Sequence, residues 1–342
     1  PCEGFGTLAR VLHHTVHRNP SQGRLSRRNP ARGAELVICP ADIIMRAYEL
    51  PTEDPLVRRP SVPGIAWVGV GLALGIALFL IGTPDGFLRK MDYVGAAVCH
   101  RRLSHSFTVD GRQLPLCQRC TGTFPGALTG VLVHWGLLRR RRAARFPRWT
   151  LLVPIVLFAA AWGLDGINST TSDGQFGALL QRFISRPEGV GVLGYAPQPW
   201  LRLLTGALMG MAMSIILVPA FNQSVWADAE DAPTLRSWHE LALLVAVELA
   251  MTGLILLLEG LPSAAALYVL TITSALGVIT MFTLLGAMMI VLVIPRLATA
   301  RRWREAWIPL TWGVVFALVI VIGMDASRLW LTGTIDGVPG MD

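Results

Sequence analysis

Charged residues are scarce in this sequence. Aspartate, glutamate, lysine and arginine make up 15% of the 342 residues, whereas 53% are hydrophobic and the mean hydropathy is +0.52. Soluble domains carry about 25% charged residues, so this composition excludes a soluble globular protein and predicts an integral membrane protein. Lys90 is the single lysine, and the net charge of +8 therefore comes from arginines. These arginines lie beside apolar runs, where membrane orientation explains them, and we expect no nucleic-acid partner.

Motifs of common catalytic sites are also missing. The sequence has no glycine-rich phosphate loop, no His-Glu-x-x-His and no nucleophile elbow. Thr121 stands where a c-type haem attachment needs histidine, which excludes that cofactor. We find no signal-peptide pattern and expect no signal peptide.

Long apolar runs are present instead. Seven are long enough to cross a hydrocarbon core of about 30 Å. They lie at 62–83, 121–138, 150–167, 201–220, 239–258, 265–294 and 307–324. The sixth is longer than a perpendicular helix needs, so we expect it to tilt, to kink near Gly277 or Gly286, or to project beyond the bilayer. The sequence predicts an all-α, polytopic transmembrane helix bundle of about seven spans in the inner cell membrane.

Two short arginine-rich connections set the predicted orientation. LRRRRAARFPRW follows the second run and IPRLATARRWRE follows the sixth, so alternation of spans places both on one side. Such loops mark the cytoplasmic face, which predicts a cytoplasmic N-terminus and an exterior C-terminus. Residues 1–60 then form an Arg/Pro-rich cytoplasmic tail, with an amphipathic stretch around Glu35 to Glu49 suited to the membrane surface. Residues 61–220 form a membrane core with an exterior loop, and residues 221–342 hold three further spans.

Cysteine and histidine cluster in that exterior loop. Cys99 and His100 precede the second run, and Cys117 and Cys120 lie at its threshold. Three cysteines and one further donor can form a tetrahedral zinc site that fixes the loop on the helix end. We therefore predict zinc as the cofactor, with these four residues as its candidate ligands.

Other chemistries fit the same cluster. Adjacent cysteine and histidine side chains bind one ion awkwardly, so His105 or Asp165 is an equal candidate for the fourth ligand. Alternatively, Cys117 and Cys120 cycle between dithiol and disulfide with Cys99 as a resolving thiol, since an exterior loop permits disulfides and a helix N-terminus favours thiolate. An inert disulfide or buried unreactive thiols are the third interpretation. The sequence leaves all three open.

More polar residues are predicted to reach the same face. The third run ends in WGLDGINSTTSDG, which places Asp165 and Asn168 at its exterior boundary. Arg182, Arg186 and Arg202 are predicted beside the cluster, where an arginine either holds an anionic headgroup or neutralises Asp165, and Arg119 is a further candidate partner of the site. The segment between Thr170 and Trp200 is too interrupted to span, and we expect an exterior re-entrant or surface helix.

The stretch VCHRRLSHSFTVDGRQLPLCQRCTGTFPGALTG, with LDGINST and LRLLTGALMG after it, resembles a bacterial integral-membrane family, domain of unknown function 2085. The resemblance covers about residues 96–215 and supplies a name without an activity. The matching residues are Cys99, His100, Ser106, Phe107, Leu114, Pro115, Leu116, Cys117, Arg119, Cys120, Thr121, Gly122, Asp165, Gly166, Arg202, Thr205 and Gly206. It implies that the three segments form a single site.

Several functions are compatible with this pattern. The leading hypothesis is a zinc-stabilised membrane module, an accessory subunit of a larger complex, whose partners are the lipid bilayer and other membrane subunits or a lipid or quinone. The alternatives are a thiol-disulfide oxidoreductase that passes electrons from Cys117 and Cys120 to a quinone, and a hydrolase in which zinc activates water beside Asp165. A third class is a transporter, because Glu248 lies in the middle of the fifth run and marks a proton or ion path.

Overall fold

A computed structural model describes residues 62–172, 177–179, 183, 187–297 and 300–337. The predicted tail at 1–60 lies outside these residues. The helices of the described part are α1 (Val62–Gly82), α2 (Phe87–Ala96), α3 (Gln118–Leu132), α4 (Trp149–Ser172), α5 (Pro199–Val225), α6 (Trp238–Glu259), α7 (Ala264–Val293) and α8 (Trp303–Thr332). The predicted all-α helix bundle is confirmed.

Short strands connect the helices at both ends of the bundle. β1 (Ser106–Val109) and β2 (Arg112–Cys117) form an antiparallel hairpin between α2 and α3. β3 (Ala143–Arg145) and β4 (Glu230–Pro233) pair in parallel after α3 and α5. The hairpin also contributes to the core, since Phe107, Val109, Leu114 and Leu116 are buried against the helices.

The number of helices suited to span a membrane is smaller than predicted. In the described part, α4, α5, α6, α7 and α8 are long and apolar enough, and α1 with α2 is a sixth only if this pair, bent by 105°, is one span. The run predicted at 121–138 corresponds to α3, which has 15 residues, and to the π-helical turn Val133–Leu137 that follows it. Its glycines and threonines lower its hydropathy, so the count of seven spans is not confirmed.

α3 and α5 pack side by side through small residues. Gly122, Gly126 and Gly130 recur at every fourth position of α3, and Gly206, Gly210 and Ser214 do the same on α5. A Cβ at Gly122 would overlap the carbonyl oxygen of Leu203, and one at Gly130 would overlap the hydroxyl of Ser214. The two helices therefore run in the same direction at backbone contact, which is the packing that small-xxx-small patterns allow in membranes.

The long helix α7 uses its glycines in the same way. It is continuous from Ala264 to Val293. An added Cβ at Gly277 would lie 2.5 Å from the carbonyl carbon of Phe124, and one at Gly286 would lie 2.6 Å from the Cβ of Phe316. These glycines therefore allow α3 and α8 to pack closely against α7, and they do not break the helix.

The arginine-rich connections meet at one end of the bundle. The Arg142 guanidinium donates to the Asp228 carboxylate at 2.7 Å and to the Arg301 carbonyl oxygen at 2.5 Å. Arg140 pairs with Glu240, in the first turn of α6, at 2.6 Å. We call this the arginine end, and the end that carries Cys99 the cysteine end. Which end faces the cytoplasm stays a prediction.

Candidate metal centre

Three cysteines converge at the cysteine end. Cys99 follows α2, Cys117 ends β2, and Cys120 lies in the first turn of α3. Their Sγ atoms all lie within 4.8 Å of one another, and all three are free thiols. Cys99 and Cys117 are buried, and Cys120 is partly buried. The arrangement offers three sulfur ligands to one ion.

The β-hairpin creates this convergence. Asp110 and Gly111 have φ values of 52° and 73°, which a tight two-residue hairpin turn requires, and they reverse the chain. β2 therefore returns Cys117 to the start of the loop, where its backbone N–H donates to Cys99 Sγ at 3.2 Å. Gly95 contacts the Pro115 backbone so closely that a Cβ would overlap it. α2 and β2 are thus held together directly beside the thiols.

The pKa values of the three thiols are shifted in different directions. Hydrogen bonds from the side chains of Cys120 and Cys99 hold the pKa of Cys117 well below its ordinary value. The hydrogen bond to Cys117 raises the pKa of Cys99 to about 12. Of the three cysteines, Cys117 is therefore the one whose thiolate form is favoured. A thiophilic cation would replace these protons, because metal ligands bind as thiolates.

The cluster itself consists of sulfur atoms, and the predicted fourth ligands His100, His105 and Asp165 are not part of it. Among the described residues, no histidine or carboxylate joins the three cysteines within 4.8 Å. The His100 ring lies edge-on to that of His105, with 5.6 Å between centroids. Burial lowers the pKa of His100, which favours the neutral form that metals bind. Its assignment as a ligand stays a prediction.

Asp165 is engaged by residues of three segments. Its Oδ2 accepts from Arg119 Nη2 at 2.6 Å, and its Oδ1 accepts from the Tyr195 hydroxyl at 3.1 Å. Thr205 on α5 also donates to Oδ2, at 3.4 Å. The carboxylate is 2% exposed. Arg119 therefore neutralises Asp165, which was one of the two roles predicted for the arginines.

Arg202 extends this network towards the hairpin. Its Nε donates to Ser169 Oγ at 3.1 Å and its Nη1 to Gln118 Oε1 at 3.2 Å. Its Nη2 lies 3.5 Å from His105 Nε2. The side chain is buried, so these internal groups, and not lipid headgroups, surround it. Because Gln118 follows Cys117, the network reaches the residue next to the cluster.

Asn168 anchors the connection between α4 and α5. Its Oδ1 accepts from the Leu193 backbone N–H at 2.8 Å, and its Nδ2 donates to the Tyr195 carbonyl oxygen at 3.0 Å. A Cβ at Gly191 would overlap the Asn168 side chain. Polar contacts thus join the predicted partners Arg119, His105, Asp165, Asn168 and Arg202 into one network, and its membership in one site with the cysteines stays a prediction. The predicted Arg182 and Arg186 lie outside the described residues.

Sequence reasoning missed Arg328, which holds the cysteine loop from α8. Its guanidinium donates to the carbonyl oxygens of Ala96, Cys99, His100 and Gly337 at 2.5–3.0 Å. An arginine near a helix end normally lies in solvent or in the lipid headgroup region, so the sequence carried no signal for this contact. Tyr195 was missed because it lies in an irregular segment.

A second missed feature is a buried charge cluster around Asp92. Its carboxylate pairs with Arg101 at 3.0 Å and Arg112 at 2.7 Å, and Arg101 also pairs with Asp336 at 3.0 Å. Arg101 is 3% exposed and has a φ of 54°. These pairs join α2, the hairpin and the segment after α8 into one cap over the cysteines.

A cavity of about 630 Å³ opens beside the cluster. It lies between the loop of Cys99 and His100 and the helices α7 and α8. Its lining is mainly apolar: Ala96, Ala97, Val98, Cys99, His100, Phe282, Ile320, Met324, Ser327, Arg328, Leu331 and Thr332. A flat or elongated apolar ligand could therefore approach Cys99 from the side.

Comparison with known proteins finds similarity in the part of the chain that contains these residues. Residues 99–216 match the family described as "Predicted membrane protein (DUF2085)". An uncharacterized protein of Methanothermobacter thermautotrophicus is 27% identical over 95 residues, which are 28% of this chain and 80% of that protein. An uncharacterized protein of Methanocaldococcus jannaschii is 22% identical over 134 residues, 39% of this chain and 69% of that protein. No solved structure matches the chain. The resemblance to domain of unknown function 2085 is therefore confirmed over residues 99–216, the part that contains the three cysteines and the Asp165 network.

Proposed function

We propose that the three cysteines hold a zinc ion, and that the protein is a metal-stabilised module of the inner cell membrane which serves as an accessory subunit of a larger membrane complex. The observation that carries the proposal is the convergence of three Sγ atoms within 4.8 Å from two separate segments. Zinc suits them because it takes thiolate ligands in a tetrahedral arrangement without redox chemistry. His100, a water or a partner's side chain supplies the fourth position.

The surroundings of the cluster favour a structural ion. Arg119 and Tyr195 engage Asp165, and Arg202 is bonded to Ser169 and Gln118. A carboxylate occupied in this way is a poor base for activating water. The ion would join the loop after α2 to the start of α3, much as Arg328 and Asp92 join the loop to α8 and the hairpin.

The test is the metal content of detergent-purified protein, measured by elemental mass spectrometry. We expect about one zinc per chain in the wild type and none in the double variant Cys117→Ser, Cys120→Ser, because two of three thiolates are removed. The matched control is Cys2→Ser, Cys39→Ser, which changes the same number of cysteines outside the cluster and should retain the zinc. Wild-type protein without metal, or metal lost only in the control, would refute the proposal.

The cavity favours one second candidate, a thiol-disulfide oxidoreductase that uses a quinone. Cys117 and Cys120 would form a disulfide and give up two electrons and two protons, and the quinone bound in the cavity would take both up to become a hydroquinone. The apolar lining beside Cys99 is the observation that supports it.

Adding a soluble quinone to the reduced protein separates the two candidates. If the oxidoreductase is correct, about two thiols per chain disappear as hydroquinone forms, and the Cys117→Ser, Cys120→Ser variant forms none. Thiols that stay reduced with quinone in excess would remove this candidate. A zinc-bound cluster should show that resistance.

A further inference from the structure

Glu248 is a buried carboxyl group in the interior of α6. The residue is 1% exposed, and neither Oε1 nor Oε2 has a hydrogen-bond partner. A Cβ placed on Gly126 would lie 3.2 Å from Glu248 Oε2 and 2.8 Å from the Ala207 carbonyl oxygen. The carboxyl group therefore lies against α3 where it contacts α5, and it does not belong to the cysteine site.

No cation faces this carboxyl group from the described elements packed against α6. α7 and β1 contain no charged residue. The arginines of α3 and α5, Arg119 and Arg202, lie in the first turns of these helices and are engaged by Asp165, Ser169 and Gln118. At the other end of α3, His134 contacts the Gly130 carbonyl oxygen at 2.7 Å.

An ionised carboxylate without a partner is costly in such a place. Burying an unpaired charge in a medium of low dielectric costs several kcal/mol or more, and a neutral acid avoids most of that cost. A hard metal cation such as Ca²⁺ would need about six or more oxygen ligands around it. None of the buried hydroxyls bonds to this carboxyl group. The ligand that fits is a single proton.

Hydroxyl groups lie between Glu248 and the cysteine end. Thr252 is one turn further along α6, and Thr271 and Ser274 precede the Gly277 contact with α3; all three are buried with no partner for their Oγ atoms. Because α6 starts at the arginine end, where Glu240 pairs with Arg140, Thr252 lies on the cysteine side of Glu248. These hydroxyls are hydrogen-bonded neither to Glu248 nor to one another, so they could carry a proton only with water between them.

We propose that Glu248 is a proton-binding site in the membrane core, which takes up and releases a proton. Protonation converts the carboxylate to a neutral acid, and release leaves a buried negative charge that only a conformational change or entering water can stabilise. The site would couple an activity of this chain to protons. It does not depend on zinc at the cysteines.

The structure also offers access for a chemical probe. A cavity of about 170 Å³ lies between α3, α6 and α7. Pro125, next to Gly126, and Met251, one turn from Glu248, are among its apolar lining residues. Glu248 does not line this cavity, so a membrane-soluble carbodiimide that enters it reaches the carboxyl group only when the neighbouring side chains move. Such reagents modify carboxyl groups only in their protonated form.

The experiment treats the full-length protein in detergent with dicyclohexylcarbodiimide and locates the adduct by peptide mass spectrometry. We expect an adduct on Glu248 at about pH 6 that decreases as the pH is raised to about 10, since the reactive acid is then lost. Glu248→Gln should abolish the adduct, whereas Glu259→Gln, on the same helix at its end, should leave it unchanged.

Two results would overturn the proposal. Absence of an adduct on Glu248 at any pH would remove the protonated carboxyl group, open to exchange, that the proposal requires. An adduct that stays constant from about pH 5 to about pH 10 would mean that the proton does not exchange with the solvent. Both readouts use the wild-type chain and so do not depend on how well a variant folds.

Discussion

Replacing Asp165 with asparagine should destabilise the protein strongly. The change removes the negative charge that Arg119 contacts at 2.6 Å and leaves the arginine facing a neutral amide, with Arg202 nearby. Breaking a buried pair in this way costs about 3–5 kcal/mol, and we expect roughly 2–3 kcal/mol because the Arg119 side chain is 19% exposed. The measurement is the thermal unfolding midpoint of purified protein, which should fall by several degrees.

The matched control makes the same substitution at Asp228. Its carboxylate pairs with Arg142 at 2.7 Å, but it is 47% exposed, so solvent screens the pair. Asp228→Asn should therefore melt close to the wild type. If both variants melted together, burial of the Asp165 pair would not contribute to stability. Asp165→Asn should also speed proteolysis near Tyr195, because the tyrosine hydroxyl loses its ionised partner.

Enlarging Gly210 should separate α3 from α5. A Cβ at this position would overlap the Thr123 carbonyl oxygen, which is backbone and cannot rotate away. Gly210→Leu therefore requires the helices to move apart along the most extensive contact of the bundle, and we expect a loss of several kcal/mol with little folded protein recovered. Size-exclusion chromatography in detergent, scored by the monodisperse fraction, measures the result.

Gly253 provides the control for this change. It lies on α6 with no atom within 4 Å of an added Cβ, and it is exposed. Gly253→Leu adds the same volume and should leave the monodisperse fraction close to that of the wild type. A Gly210→Leu protein that behaves like Gly253→Leu would show that the helices are not in backbone contact.

The length of the apolar runs and the alternation of spans predicted much of the helical architecture. Six of the seven predicted runs lie within a long helix or largely coincide with one. The two arginine-rich connections meet through Arg142 and Arg301. The exception is α3, because run length does not detect the π-helical turn or the glycines that serve packing. A helix surrounded by protein needs less hydrophobicity than one that faces lipid.

The candidate site was predictable where chemistry is local in sequence and unpredictable where it depends on tertiary contacts. The Cys-x-x-Cys spacing indicated Cys117 and Cys120, and alternation placed Asp165 on the same face. The partners of Asp165 follow from how the segment after α4 folds back, which no periodicity encodes. Asp92 and Arg101 are ordinary charges in the sequence, and only the packing of α2 under the hairpin makes them a buried pair.

The hydrogen bonds from Arg328 make the cysteine loop depend on a helix that lies outside the segment matched to the family. The match to the family ends at residue 216, yet the carbonyl groups of Ala96, Cys99 and His100 accept hydrogen bonds from Arg328 of α8, more than a hundred residues later. A fragment that stopped after α5 would leave these carbonyl groups to bond with water or to face lipid. It would also lose Asp336 as a counter-ion for Arg101. In this chain the loop that opens the family segment therefore depends on α8 for its backbone contacts, and any displacement of α8 is transmitted directly to the backbone that carries Cys99.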